Sequence, residues 1–196
     1  MAQDDPNSAL AEVKAEVAAE VARQLAPLGA ELAQLRERVP GDKASLVVFS
    51  GDLDRVLAAF VIATGAAAAG LETSIFFTFW GLSAIKRRGA RAAKKGFKQR
   101  MFGAMTAKSS EALGTSKMNF FGMGSSMLRA MMKEQGIASL EELMTMAREL
   151  GVKTTACTMS MDAMGVAREE LVDGLEYGGV AAFMADASRS RFTLFI

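Results

Sequence analysis

The run Ser45-Leu46-Val47-Val48-Phe49-Ser50, closed by Gly51-Asp52, and its sequel Thr73-Ser74-Ile75-Phe76-Phe77-Thr78-Phe79 decide the fold. Each is short and continuously apolar or β-branched, the pattern of a strand buried on both faces. Between them Leu53–Ala69 reads as a helix, with Gly70 just past its end as a left-handed C′ residue. Strand, helix, strand with short joints is a βαβ unit, which makes the sheet parallel.

Working outward, Met127–Glu134 reads as a helix. Ser139-Leu140-Glu141-Glu142 is a capping box that opens another, carried to Leu150 and stopped by Gly151. Val152–Ala156 is the next strand and ends at Cys157. A helical turn at Ala167–Gly174, a short helix at Val180–Ser188 after Gly178-Gly179, and a last strand at Phe192–Ile196 complete the chain. The expected class is α/β: a doubly wound, mainly parallel sheet of about five strands with flanking helices. It occupies residues 44–196 and is preceded by an N-terminal helical arm over residues 1–40.

In the arm, Leu10, Val13, Val17, Val21, Leu25, Leu28, Leu32, Leu35 and Val39 follow one another at spacings of three and four, which sets them on one stripe. Pro27 sits inside the pattern and is expected to kink or split the helix. The stripe reaches about four heptads, the span at which a coiled-coil reading begins. A helix lying on its own domain fits the same residues.

Composition excludes more than it assigns. The 196 residues carry a net charge of +1, so the chain as a whole is not built to bind nucleic acid. There is no histidine and one cysteine, which removes Ser-His-Asp and Cys-His catalysis, Cys-based zinc sites and internal disulfides. No metal and no cofactor is expected. The acidic, polar start Met1-Ala-Gln-Asp-Asp-Pro6 lacks the features of a signal peptide, so a reduced cytoplasmic thiol is the simplest reading.

Between Arg55 and Lys86 the only charge is Glu72, so Leu53–Leu71 invites comparison with a membrane span. Its length is borderline, and Thr73–Ile85 is too short to cross about 30 Å of hydrocarbon. The βαβ reading accounts for the strand residues as well. After it, residues 86–100 carry eight Lys or Arg and no acid, and 101–126 is rich in Gly, Ser and Met with little periodicity. Residues 86–126 read as an insertion whose basic part suits an acidic protein face or a peripheral contact with an anionic membrane. Twelve methionines lie between residues 101 and 164. Thioether ligation of copper(I) is one reading of them, and adaptable packing the more ordinary one.

Strand-end loops gather at one edge of a parallel sheet, where open α/β folds place their sites. Gly51, Trp80 and Cys157 belong to three such loops, so the topology is expected to bring them together. A thiol there, reachable by solvent and facing the N–H groups of the next turn, is favoured as thiolate.

The segment Ala156-Cys157-Thr158-Met159-Ser160-Met161-Asp162-Ala163-Met164-Gly165 resembles the signature of DsrE/DsrF-like proteins, in the longer branch with an insertion after the second strand. Val48-Phe49-Ser50-Gly51-Asp52, Phe76–Gly81 and Asp173–Ala181 extend the resemblance over about residues 44–196. It implies a doubly wound α/β fold, homo-oligomers, and sulfur held as a persulfide on a cysteine for relay among rhodanese-like and TusA-like proteins. Carried over, that role falls on Cys157 alone. A carrier also needs amides to hold the persulfide anion, assigned to Thr158 and Ser160, and an apolar wall, assigned to Trp80, Met159 and Met161. The expected function is therefore a sulfur carrier or sulfurtransferase-like protein. A one-cysteine thiol peroxidase and a non-catalytic oligomeric scaffold are the competing readings.

Overall fold

The computed structural model of the chain describes residues 6–89, 106–117, 119 and 122–196. Most of the basic run, from Arg91 to Arg100, lies outside the described residues. The chain divides at Pro40–Gly41 into two units. The first contains one helix, α1 (Pro6–Arg38), which runs through Pro27 without interruption. Its apolar stripe is exposed from Val13 to Leu35.

The second unit is a five-stranded, all-parallel sheet in the order β4-β3-β2-β1-β5. The strands are β1 (Lys43–Val48), β2 (Glu72–Phe77), β3 (Lys153–Cys157), β4 (Glu176–Gly178) and β5 (Phe192–Phe195). The helices are α2 (Leu53–Ala68), α3 (Met123–Glu134), α4 (Leu140–Glu149), α5 (Thr158–Met164) and α6 (Val180–Ala187). A 3₁₀ turn spans Phe79–Ile85.

β2 gives way two residues before its apolar run ends, to the 3₁₀ turn that begins at Phe79, and β1 stops two residues short of its own because those residues bond outside the ladder. The Phe49 and Ser50 amides donate to the Ile196 carbonyl at 2.8 and 3.3 Å, and the Phe49 carbonyl accepts from Gly81 at 2.8 Å. α2 ends as its glycine predicts. Gly70 takes φ +86°, and the amides of Gly70 and Leu71 turn back to the carbonyls of Ala67 and Ala66. The capping box of α4 is complete, with the Glu142 carboxylate accepting the Ser139 amide at 2.7 Å.

Strand alternation sorts the side chains onto two faces. Leu46, Val48, Ile75, Phe77 and Ala156 pack with α2 and α4 in the main core, and Phe77 is fully buried. Removing a ring of that kind costs about 3–5 kcal/mol. Val47, Phe76 and Cys157 face the other way, in a small cluster completed by Phe183 of α6. The apolarity of α2 is thus spent on Leu53, Val56, Phe60 and Ala63 facing the sheet. Among the described residues no helix is long and apolar enough to cross a membrane.

Candidate functional site

The order in which strands are added reverses at β1, which has β2 on one side and β5 on the other. Open α/β sheets bind ligands outside the carboxyl ends of strands at such a point. A cleft of about 550 Å³ lies there, lined by Ser50, Gly51, Asp52, Arg55, Trp80 and Ser83, with Thr115 and Asn119 on its far side. A larger hollow of about 1010 Å³, lined by Leu57, Met132, Ile137 and Met146 among others, contains none of the predicted site residues.

Two glycines let the loops after β1 and β2 meet at this cleft. A Cβ on Gly51 would stand 2.8 Å from the Trp80 carbonyl oxygen, and one on Gly81 would stand 2.1 Å from that of Val48. Between the strand end and Gly81, Phe79 is held in the left-handed region at φ 46°, a conformation a bulky residue keeps only when its surroundings impose it. Phe79 and Phe195 flank Phe49, with ring centroids 5.5 and 5.8 Å from it, so three aromatic side chains form the rim beside the cleft.

Asp52 stands at the N-cap of α2 but does not cap it with its side chain. Its carboxylate accepts from the Ser50 hydroxyl at 2.8 Å, and the Leu53 amide donates instead to the Gly114 carbonyl at 2.7 Å. The later part of the insertion thereby closes onto the helix start. Asp54 fastens it further, accepting from the Ser116 amide and hydroxyl at 2.8 and 2.5 Å. Partial burial alone would raise the Asp54 pKa, but these two hydrogen bonds outweigh it and hold the carboxyl below its usual range.

Cys157 ends β3 and is the N-cap residue of α5. The strand end is where the sequence puts it; the exposure is not. The residue is 3 % exposed and lies under Phe183, away from the lining of the cleft. The reason is register: odd positions of β3 share the face that α6 covers, and the Val180–Ser188 sequence does not reveal which face its helix takes. α6 is held there by Phe183 against Phe76, at 5.4 Å between centroids, and by Lys153, which bridges Glu176 at 3.2 Å and Asp186 at 3.4 Å. The Glu176 hydrogen bond, with Asp186 added and desolvation opposing, raises the Lys153 pKa above its usual value.

The remaining predicted residues divide between these two places. Gly51 and Trp80 meet at the cleft. Thr158 and Ser160 lie in the first turn of α5, next to the thiol in sequence. The Ser160 hydroxyl is fully buried and bonded to that of Thr78 at 2.8 Å, which ties the turn after the cysteine to the end of β2. Met159 is exposed, and Met161 and Met164 belong to the main core rather than to the thiol's cluster. Phe183, Arg55, Thr115 and Asn119 went unmarked in the sequence. Arg55 was one charge on a helix, and the other three sit in segments whose pattern carries no site signal. Among the described residues no group of three or more Cys, Asp or Glu is placed to hold a metal ion.

A five-stranded parallel α/β domain with a lone thiol at the end of its third strand defines the class. Residues 40–195 match the model of the DsrE/DsrF/DrsH-like family, and the chain belongs to that family. It is 46 % identical over 154 residues to YrkE of Bacillus subtilis, covering 79 % of this chain and 96 % of that protein. It is 34 % identical over 155 residues to an Allochromatium vinosum protein named sulfur carrier protein DsrE2, covering 79 % of this chain and 98 % of that one. Among solved structures, the ychN protein from E. coli aligns with a TM-score of 0.44 at 12 % identity, over 79 % of this chain and 98 % of that chain.

Proposed function

We propose that the protein is a sulfur carrier that holds sulfane sulfur on Cys157 as a persulfide. The observation that carries this reading is the placement of the chain's one thiol at the carboxyl end of β3 and the start of α5, in a family with a relative named as a sulfur carrier. The Cys157 thiolate attacks the outer sulfur of a donor persulfide. The donor's S–S bond breaks, the donor leaves as its thiolate, and Cys157 keeps the outer sulfur as a persulfide, with no net oxidation. The reverse exchange with an acceptor thiol empties the carrier. The amides of Thr158 and Ser160 are the donors assigned to the persulfide anion. No acid–base pair is required, which suits a chain without histidine.

Because Cys157 is buried, loading requires α6 to move. α6 has no buried residue of its own and follows Gly178-Gly179, so lifting it exposes little core and is a low-cost local opening. The partners that fit are other sulfur-relay proteins, rhodanese-like or TusA-like. The exposed rim of Phe49, Phe79 and Phe195, with Trp80 beside it in the cleft lining, is the surface assigned to them. Self-association of the domain and a contact of residues 86–100 with anionic membranes belong to the same proposal.

The test is intact-mass spectrometry after incubation with inorganic polysulfide, followed by peptide mapping. A gain of about 32 Da per added sulfur on the Cys157 peptide, absent in Cys157→Ser, supports the carrier. Rapid sulfenic acid formation with dilute peroxide and no sulfur adduct supports a thiol peroxidase. The burial of Cys157 favours one other reading, an oligomeric scaffold with a packed cysteine. Resistance of the native thiol to both labelling reagents and polysulfide supports that one.

A further inference from the structure

We propose that α1 is a self-association arm, pairing with α1 of a second copy of this chain as a parallel coiled coil. Val21, Leu25, Leu28, Leu32, Leu35 and Val39 follow one another at spacings of four, three, four, three and four. That is an unbroken heptad seam, with Val21, Leu28 and Leu35 at d and Leu25, Leu32 and Val39 at a. These six residues are 49–64 % exposed in the single chain. A helix of such composition draws its stability from a partner on its apolar face. Leu25, Leu28, Leu32 and Leu35 border a groove of about 430 Å³ on that face. Gly29 sits at its edge with no neighbour within 4 Å of a built Cβ, leaving room for a facing side chain. Pro27 falls at c, on the outer side, and the helix continues through it.

The occupant is a second copy for reasons of charge. Residues 8–38 carry five Glu against four Lys or Arg, not the basic face by which a helix lies on an anionic membrane. The register puts Glu31 at g and Arg36 at the following e, positions of opposite sign that a parallel, in-register pair sets opposite each other. An antiparallel overlap centred on the same stretch would set Glu31 against its own counterpart. The arm also lies outside residues 40–195, the span that matches the family.

The experiment uses the full chain and is independent of sulfur chemistry. Sedimentation velocity at micromolar concentration should give wild type a mass at least twice that of the 20.8 kDa chain, and Leu28→Glu/Leu32→Glu a mass reduced by half or more. These positions are exposed, so the α/β domain should keep its circular dichroism. Val21→Cys in a Cys157→Ser background should cross-link copies on mild oxidation, since d residues of a parallel pair face each other. A wild-type chain at monomer mass, an unchanged mass in the double variant, or no Val21→Cys cross-link overturns the proposal.

Discussion

The rings of Phe76 and Phe183 lie 5.4 Å apart at 34°, and with Val47 they close over Cys157. The chain's one thiol is therefore stored under a helix that has no buried residue of its own. If α6 gates the thiol, Phe183→Ala should speed Cys157 labelling by about tenfold, the effect of about 1.4 kcal/mol of lost packing on the open population. Timed labelling with a maleimide, followed by mass, reads this directly. An unchanged rate would show that the thiol is reached by some path other than lifting α6.

The ion pairs of Lys153 should matter less than that ring. Exposed pairs contribute about 0–1 kcal/mol, so Lys153→Met should change the labelling rate no more than about fivefold. Its pKa is raised in the folded state, so the contribution is present below the ordinary value of 10.5 and lost as pH rises through the folded value. Denaturant titrations of wild type and Lys153→Met at pH 8 and pH 11 should show the gap narrowing at the higher pH.

Acid should act on the other side of the sheet. The Asp54 carboxyl is held below its ordinary value of 3.8 by Ser116. That contribution is complete above 3.8 and is lost as pH falls through the folded value. Glu142, lowered by the Ser139 amide and hydroxyl, behaves the same way. In urea melts from pH 6 to pH 2, Asp54→Asn should show a shallower loss of stability than wild type. Parallel curves would mean that Asp54 is not held by Ser116 in solution.

Gly81→Ala should be poorly tolerated, because the added carbon would meet the Val48 carbonyl at 2.1 Å and backbone has nowhere to retreat. A loss of about 3 kcal/mol or more is expected, lowering Tm by about 6–12 °C for a chain of this size. Gly51→Ala, with 2.8 Å to the Trp80 carbonyl, should cost less and shift the loop that walls the cleft. Calorimetry of the two variants gives the order.

The parts of the fold written in local pattern were legible. The apolar runs at β1 and β2, the glycine after α2 and the capping box of α4 each carry a physical signal within a few residues, and each appears in the structure. α5 and β4 were not legible as elements. Seven residues rich in Met and Ser carry too little period to separate a helix from a turn, and β4 is a three-residue edge strand. The site was half legible. Gly51 and Trp80 meet because the order of strands dictates it, whereas the burial of Cys157 depends on which face α6 covers, a tertiary choice that no spacing encodes.

The most direct measurement follows the mass of the native chain over time with a persulfide donor, for wild type, Phe183→Ala and Cys157→Ser. Wild type should gain sulfur in steps of about 32 Da, Phe183→Ala should gain it faster, and Cys157→Ser should gain none. An adduct that persists in Cys157→Ser, or no adduct even in Phe183→Ala, would contradict a carrier role for this thiol.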